Sequence, residues 1–389
     1  MHVIRAANVC GALPLGVDYL LREGAQEASR AGPVLVAPGP VATVYTRPRE
    51  CVLFNAVRDA NPFFSLIEAM WLLAGRDDAK FLDNYISDFS ARFAELDGTL
   101  HGSYGHRWRQ HFDIMRWSGH GVSSRGPDQL AKIIEILGDD PGSRQAVLAM
   151  WDPEEDLGAV VKDKPCNTHA YFRIRDVNAG VPTGEQDVDL SQYVLDMMVC
   201  CRSNDIIWGA YSANACHFSI LQEYLAAMIG VGVGTYTQLS FNFHAYIFAL
   251  EELAHRAGAS EIPPVDGLRA LGLPLALAGN GYATAGVAPA ALVDDPGTFD
   301  RELGELMKFL DDLHSGPLPR DDAPWSAVYG WRNTFLLHTV WRMAVAMRLW
   351  RLGQRPWALS IAKTIGAPDW RLAATQWFER RLNKLEVIA

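Results

Sequence analysis

The stretch VLDMMVCCRSNDIIWGAYSANACHFSILQEYL, residues 194–225, places a predicted strand directly before a predicted helix. Residues 194–202 are rich in Val, Met and Cys, which suit a half-buried pleated surface. From about Ser212 onward, Phe218, Leu221 and Leu225 fall on one stripe at helical spacing. A buried strand followed by an apolar helix predicts an α+β architecture.

Further strands are predicted on both sides of this stretch, at residues 144–151, 169–175 and 236–246. Residues 30–49 contain four prolines among Val and Thr, so we expect extended segments there and the first helix only after them. For that helix Asn61-Pro62 is a start signal and Gly75 is a stop signal.

The last third of the chain is predicted to be mainly helical. Amphipathic segments occur at residues 301–313, 331–352 and 369–385. We therefore expect a mixed β-sheet with packed helices, divided into a catalytic domain of residues 1–260 and a helical region of residues 261–389.

Composition and charge narrow the class of protein. The chain has 389 residues, of which 49% are apolar and 21% charged, as in a globular protein with a sizeable core. A net charge of −10 argues against binding nucleic acid or an anionic membrane by bulk electrostatics. Because no apolar run approaches a membrane span and the N-terminus lacks a signal-peptide pattern, we expect a cytoplasmic protein.

The six cysteines are scattered and form neither a CxxC pair nor a His-paired zinc spacing. We expect free thiols and no metal site. Cys166 stands out because it follows Pro165 in a loop with Lys162 and Lys164, and nearby cations favour the nucleophilic thiolate. Taken alone, this pattern also fits an ordinary structural cysteine.

Three other positions could carry chemistry. Glu68 puts a carboxylate in the middle of an apolar helix face. Residues 202–205 (Arg-Ser-Asn-Asp) end a buried strand and could hold an anion and a heterocycle, or form a solvated turn. His244 and Tyr246 alternate on a strand, so both face the same side, where they could bind sugar hydroxyls or sit in a core.

The order of these pieces resembles the thymidylate synthase family. The matching motifs, which span about residues 29–250, are SLIEAMWLLAG at 65–75, YGHRW at 104–108, DPGSR at 140–144, PC at 165–166, RSND at 202–205 and HAY at 244–246. The resemblance implies a thymidylate synthase-like fold, a homodimer and 5,10-methylenetetrahydrofolate as co-substrate.

The resemblance also implies roles for individual residues. Cys166 would add to C6 of a pyrimidine nucleotide, Glu68 would organise water and proton transfers, and Tyr104 would flank the base. The implied binding residues are Arg30, Arg202 and Ser203 for the phosphate, Arg144 for the phosphate of the partner subunit, Asn214 for the base, His244 and Tyr246 for the sugar, and Asp205 and Gly209 for folate.

Departures from the synthase pattern change the expected product. Phenylalanines and a serine at residues 89–93 stand where the synthase carries tryptophans, and Asp163 and Lys164 replace customary apolar residues. We expect these changes to admit water, which would convert the shared methylene intermediate to a hydroxymethyl group rather than a methyl group. The tail, with Trp377 and Phe378, also looks like the hydroxymethylases of phages and nucleoside-antibiotic pathways. Thymidylate synthase and a catalytically silent nucleotide-binding relative are the alternatives.

The substrate is left open by the residues. Asn214 fits uracil in the family pattern, yet a flipped amide would fit cytosine. The interval from Gly209 to Asn214 is also one residue longer than in the synthase, which leaves the placement of Asn214 open. Both sugars share the hydroxyl that His244 and Tyr246 would contact. We favour CMP, with dCMP or dUMP possible, because the Ala/Arg-rich composition hints at a GC-rich genome and an antibiotic pathway.

Overall fold

The computed structural model describes residues 1–112, 116–118, 121–123, 126–178, 192–279, 281–316 and 330–388. Strands and helices are interspersed in the first two thirds of the chain, and after β10 the regular elements of the described part are all helical. The strands are β1 (His2–Ala6), β2 (Ala25–Glu27), β3 (Val34–Val36), β4 (Val41–Tyr45), β5 (Arg116–Ser118), β6 (Gly121–Ser123), β7 (Val147–Ala149), β8 (Asn167–Asp176), β9 (Tyr193–Asp205) and β10 (Gly232–Tyr246).

The α-helices are α1 (Val9–Glu23), α2 (Pro62–Leu73), α3 (Ala79–Leu82), α4 (Phe89–Phe93), α5 (Tyr104–Arg109), α6 (Gln129–Asp139), α7 (Pro153–Asp156), α8 (Asn214–Ile229), α9 (Ile247–Arg256), α10 (Leu273–Ala276), α11 (Gly281–Ala285), α12 (Phe299–Ser315), α13 (Arg342–Arg351), α14 (Arg355–Ala362) and α15 (Pro368–Ile388). Two π-helical segments, Ile206–Ala213 and Leu336–Trp341, precede α8 and α13. No helix within the described ranges has the length and hydropathy that a membrane crossing demands.

The chain forms two compact units whose segments interleave. The first unit comprises Met1–Ala60, Ile133–Trp151 and Cys166–Gly286. The second comprises Asn61–Lys132, Asp152–Pro165 and Val287–Ala389. The division of the chain at residue 260 stays a prediction.

The first unit is built on a mixed sheet in the order β1-β4-β10-β9-β8-β7, with β3 also paired to β10 and β2 to β3. β10 runs parallel to β9, and β8 runs antiparallel to β9. Helices α1 and α8 cover this sheet, which confirms the α+β prediction. The strands predicted at 169–175, 194–202 and 236–246 are confirmed, while β7 is shorter than the predicted 144–151.

Alternate rows of the sheet face opposite environments, as the pleat requires. One row of residues paired across neighbouring strands is buried at 4% exposure or less: Leu148, Ala170, Val199, Gln238, Thr43 and Ile4. The row beside it begins with Val147, Tyr171 and Met198, which are 40%, 40% and 38% exposed. The sheet therefore has one buried face and one open face.

Helix α1 corrects the expectation that the first helix follows residue 49. Asn8 caps it, since its side-chain oxygen accepts the Gly11 N–H at 3.1 Å. Pro14 and Gly16 disguise the helical pattern in the sequence. Gly16 is needed for packing, because a Cβ there would lie 2.3 Å from the Tyr211 ring.

The second unit contains α2, whose predicted bounds are confirmed. Asn61 accepts N–H groups from Phe63 and Phe64, and Gly75 follows the helix with a φ of +76°. The Phe63 ring packs 4.7 Å from the Phe378 ring of α15. The three predicted amphipathic segments are confirmed as α12, as α13 with its preceding π-helix, and as α15.

A fully buried ion pair ties the segment before Cys166 to α5. Arg107 donates to both carboxylate oxygens of Asp156 at 2.6 and 3.0 Å, and these residues are 1% and 0% exposed. The His101 ring lies 2.8 Å from the same carboxylate, and the Asp152 N–H donates to it at 2.8 Å. The buried carboxylate thus accepts from the guanidinium and from the main chain and contacts the His101 ring.

We predict that Asp156→Ala lowers the free energy of unfolding by about 3–5 kcal/mol, because it leaves the Arg107 charge buried without its counterion. Urea unfolding followed by tryptophan fluorescence measures this loss. As a control, Glu252→Ala removes the exposed partner of Arg256 and should cost less than about 1 kcal/mol. Equal losses of unfolding free energy in the two variants would contradict a stabilising role for the buried ion pair.

Candidate active site

Cys166 begins the last segment of the first unit, directly before β8. The Arg202 N–H donates to the Cys166 carbonyl at 2.9 Å, so the cysteine lies beside the end of β9. Cys166 is half-buried. The structure thus brings the predicted nucleophile next to a predicted phosphate ligand, although 36 positions separate them in the chain.

Tyr246 shows which other predicted residues gather here. Burial raises the pKa of Tyr246, the charges of Asp205 and Cys166 add to the increase, and Arg30 opposes it. The Ser29 side chain hydrogen-bonds to the same phenol. The His244 and Tyr246 rings lie 5.6 Å apart, and His244 is paired with Asp205 across β10 and β9. Arg30, Cys166, Asp205, His244 and Tyr246 therefore form one group.

Aromatic residues that the sequence reasoning missed border this group. The Arg202 guanidinium lies 5.4 Å from the centre of the Trp151 ring, a cation–π contact that orients the arginine. The exposed rings of Trp208 and Phe248 lie 6.0 and 5.4 Å from the Tyr246 ring. Aromatic residues that stand close to the polar motifs in the sequence were the signal that could have identified them.

Asp205 caps the π-helical segment that follows β9. Its Oδ1 accepts the N–H groups of Ile207 and Trp208 at 2.9 and 2.7 Å. Its Oδ2 is buried, and within the described residues no donor meets it in good hydrogen-bond geometry, although the Tyr246 N–H lies close enough to lower the pKa of the carboxyl. Burial raises the pKa of Asp205, while the capping N–H groups and His244 oppose the increase. One carboxylate oxygen thus caps the segment, and the other is buried beside it.

A π-helical segment leads into Asn214. The Asn214 N–H donates to the Gly209 carbonyl five residues earlier, whereas an α-helix would use a carbonyl four residues earlier. Buried Arg58 donates to the Ile207 carbonyl at 2.9 and 3.1 Å and holds this segment. Asn214 therefore stands at the first residue of α8 despite the longer interval.

A chain of buried side-chain hydrogen bonds runs through Asn214. Asn167 Nδ2 donates to Asn214 Oδ1 at 3.0 Å, and Asn214 Nδ2 donates to Asn204 Oδ1 at 3.0 Å. Asn204 Nδ2 then donates to Ser240 Oγ at 2.9 Å. Asn167, Asn204 and Ser240 were missed because nothing in the sequence shows that these polar side chains meet.

Gly209 lies against this chain of amides. A Cβ at Gly209 would sit 2.7 Å from Asn204 Oδ1 and 3.6 Å from Asn214 Nδ2. Glycine at this position therefore lets the main chain approach the two asparagines. Close packing thus gives one reason for the glycine, and the role of Gly209 in binding folate stays a prediction.

Arg144 lies on the open face of the sheet in the first unit. It is exposed and lines a cavity of 410 Å³ together with Tyr171, Arg173, Asp196 and Met198. The other predicted site residues are not among the described residues that line this cavity. Arg144 is thus presented outward.

Glu68 and Tyr104 belong to the second unit. Glu68 is half-buried on α2, and Tyr104 is the first residue of α5. Helices α2 and α5 approach closely because the residue after Tyr104 is a glycine: a Cβ at Gly105 would lie 2.4 Å from the Leu72 carbonyl oxygen. The Tyr-Gly motif is therefore explained by helix packing as well as by the predicted role of the tyrosine.

Asp163, also in the second unit, is the most perturbed carboxyl near Glu68. Burial raises its pKa to about 6, the Glu68 charge adds to the increase, and the Gly102 N–H opposes it. Its lysine neighbours point elsewhere: Lys162 Nζ donates to the Ala94 carbonyl and Lys164 Nζ to the Ala159 carbonyl, both at 2.6 Å. Asp163 therefore belongs among the candidate acid–base groups, as its burial could not be read from the sequence.

We predict that Asp163→Asn raises the melting temperature at neutral pH. The folded pKa of about 6 exceeds the ordinary value of 3.8, so the wild type loses stability as the pH rises through this window. An asparagine can still accept the Gly102 N–H. Melting curves of both proteins should diverge between about pH 4 and pH 7. A constant difference across that range would contradict the raised pKa.

Comparison with known proteins identifies the family. The thymidylate synthase family model matches residues 54–263. A deoxyuridylate hydroxymethyltransferase of Pseudomonas phage M6 is 38% identical over 391 residues, covering 99% of this chain and 96% of the relative. One of Bacillus phage SP01 is 32% identical over 54% of this chain and 49% of the relative. A thymidylate synthase of Symbiobacterium thermophilum is 30% identical over 51% of this chain and 65% of the relative.

The matched region exceeds half of the chain, and the phage M6 relative matches it almost from end to end. The recognition of the family and of its hydroxymethylase branch is therefore confirmed, as is one-carbon transfer from methylenetetrahydrofolate. The preference for CMP and the antibiotic pathway stay predictions. The chain is a one-carbon transferase that belongs to the thymidylate synthase family.

Proposed function

We propose that this protein converts dUMP to 5-hydroxymethyl-dUMP, using 5,10-methylenetetrahydrofolate and water and releasing tetrahydrofolate. The observation that carries the proposal is the 38% identity to a deoxyuridylate hydroxymethyltransferase over nearly the full length of both chains. The grouping of Cys166 with Arg30, Asp205, His244 and Tyr246 supports it.

Cys166 is the proposed nucleophile. Its thiolate forms a bond to C6 of the uracil, which makes C5 nucleophilic enough to attack a methylene carbon. When bound, methylenetetrahydrofolate supplies that carbon at the oxidation level of formaldehyde. The proton on C5 is then lost and the bond between the methylene carbon and the folate nitrogen breaks, so tetrahydrofolate leaves and C5 carries an exocyclic methylene. Water adds to that methylene carbon, and the bond between sulfur and C6 breaks as the C5–C6 double bond returns. No hydride is transferred, so the folate leaves unoxidised.

The charged and polar residues of the first unit are proposed to hold the nucleotide. Arg30 and Arg202 neutralise the phosphate, Ser203 donates to it, and His244 and Tyr246 bind the sugar hydroxyl. Trp151 orients Arg202 through the stacking contact described above. Asn214 reads the base edge.

The surroundings of Asp205 suit the pterin of the folate. The buried Oδ2 is an acceptor that N–H groups of a pterin would satisfy. Trp208, 47% exposed, and Phe248, 49% exposed, offer flat apolar surfaces to a planar heterocycle. Asp205 and Gly209 are therefore the proposed folate residues of this chain.

In the second unit we propose that Glu68 organises water and proton transfers and that Tyr104 flanks the base. Asp163 has a pKa raised to about 6, chiefly by burial, and can exchange a proton near neutral pH. Only three positions separate it from Cys166, so the chain itself keeps the two within about 11 Å. We therefore propose Asp163 as a second acid–base carboxyl of the second unit, beside Glu68.

We predict that dUMP incubated with methylenetetrahydrofolate gains CH2O rather than CH2, measured by mass spectrometry of the product. Absorbance of dihydrofolate should not rise, because the folate is not oxidised. Parallel incubations with CMP, dCMP and UMP determine the preferred base and sugar. A gain of CH2 with matching dihydrofolate would instead establish a thymidylate synthase.

We predict that Cys166→Ala abolishes turnover while dUMP still binds, because only the covalent step needs the thiol. Arg202→Ala should weaken dUMP binding by about tenfold or more, since it removes a charge-assisted contact. Cys200→Ala is the matched control, since Cys200 is a half-buried cysteine on the neighbouring strand β9. This variant should keep full turnover. Turnover by Cys166→Ala would remove the proposed nucleophile.

We also propose that the open face of the sheet is the homodimer interface. Val147, Tyr171 and Met198 form an exposed row there, and exposed apolar rows of this kind mark association sites. The same face presents Arg144, as required if it reaches the phosphate site of the partner subunit. This arrangement would give each site an arginine from the other chain.

We predict that Tyr171→Asp shifts the protein from dimer to monomer in light scattering, because it buries a charge in the interface. Arg144→Ala mixed with Cys166→Ala should be more active at low dUMP than either variant alone, since a mixed dimer contains one intact site. Arg173→Ala, which changes another arginine of the same cavity, is the control for the mixing test. No gain on mixing would refute a shared site.

A further inference from the structure

We propose that the buried chain from Asn167 through Asn214 and Asn204 to Ser240 selects the pyrimidine base, because the direction of its hydrogen bonds fixes the direction of the Asn214 amide. The inference rests on the proposed function only in taking Asn214 as the residue that meets the base. It adds Asn167, Asn204 and Ser240 as positioning residues.

The chain is sealed from solvent. Asn167 is 0% exposed, Asn204 and Ser240 are each 2% exposed, and Asn214 is 6% exposed. At such burial a lost hydrogen bond is not replaced by water, so a reversed amide costs the full penalty unless its neighbours reverse as well. The three amides therefore turn together or not at all.

The backbone around the chain leaves little freedom to avoid this coupling. Asn167 and Ser240 stand on β8 and β10, on either side of β9, and Asn204 is the next-to-last residue of β9. The close approach of Gly209 confines the Asn204 and Asn214 amides. Asn214 itself is fixed by the main-chain bond to Gly209 and by the start of α8.

The direction of the Asn214 amide matters because the two bases present opposite edges. Uracil offers an N–H at N3 and an acceptor at O4, whereas cytosine offers an acceptor at N3 and an amino group at C4. The oxygen of Asn214 keeps a second lone pair and its NH2 group keeps a second hydrogen, so both remain able to bond to the base. Turning the Asn214 amide around thus exchanges a site for one base with a site for the other.

In the structure, donors point from Asn167 toward Ser240. The opposite direction is also chemically complete, because the Ser240 hydroxyl can donate as well as accept. A carboxylate, which only accepts, would remove this choice at whichever position it occupies. Asn204→Asp enforces the present direction, since it must accept from Asn214 Nδ2. Asn167→Asp enforces the reverse.

The test measures the ratio of the dissociation constants of dUMP and dCMP by calorimetry without folate, and the ratio of kcat/KM values with folate. We expect Asn204→Asp to keep the preference of the wild type and Asn167→Asp to shift the ratio toward the other base by about tenfold or more. The measurements are made at about pH 8.5, where the ionised form of the introduced carboxyl groups is favoured. Asn242→Asp adds the same charge to the end of β10 outside the chain and should leave the ratio unchanged.

Neutral variants cover the case in which a buried carboxylate prevents folding. Ser240→Ala removes the hydroxyl that completes the chain and should move the ratio toward one, whereas Thr237→Ala on the open face should not. The proposal is overturned if Ser240→Ala leaves the ratio unchanged, or if folded Asn204→Asp and Asn167→Asp shift it in the same direction.

The outcomes separate this inference from the proposed function. If the wild type prefers cytosine, the dUMP assignment fails, yet the opposed effects of the two aspartates would still establish the role of the chain. If the wild type hydroxymethylates dUMP and neither aspartate changes the ratio, the function stands and the selecting role of the chain fails.

Discussion

The register between β9 and β10 fixes the positions from which the first unit presents its polar side chains. The parallel ladder pairs Ser203 with Asn242 and Asp205 with His244. A slip of one residue would send each side chain of β10 to the opposite face. It would also turn Tyr236 and Gln238 of β10, each 0% exposed, away from the buried face. Hydrophobic burial in the sheet therefore holds the chemistry of its edge in place.

Much of the fold could be predicted because its signals are local. The β-branched and aromatic runs of β8 to β10, and the Asn61 and Gly75 signals around α2, depend on residues adjacent in the chain. Helix α1 was missed for the opposite reason. Its Gly16 is explained only by the ring of Tyr211, a residue far along the chain whose contact no local pattern reveals.

The residues of the candidate site likewise divide into those that local motifs reveal and those that they do not. Cys166, Arg202, Asp205, His244 and Tyr246 were predicted from motifs, and the structure brings them together. The raised pKa of Asp163 and the contacts between the Asn167 and Asn204 amides and Asn214 were not predicted, because they depend on burial and on partners from elsewhere in the fold. The residue type alone does not tell whether a polar side chain meets water or another buried amide. That difference determines the free-energy cost of burying the side chain.

The π-helical turn before α8 has a consequence for comparing this protein with its relatives. The turn uses one more residue than an α-helical turn before α8 begins at Asn214. Aligning residues 209–214 without a gap against a synthase whose interval is one residue shorter would pair Ala213, and not the proposed base-reading Asn214, with the corresponding asparagine. Sorting family members by that column alone would then place this chain among proteins that lack the residue, although its amide is present one position later.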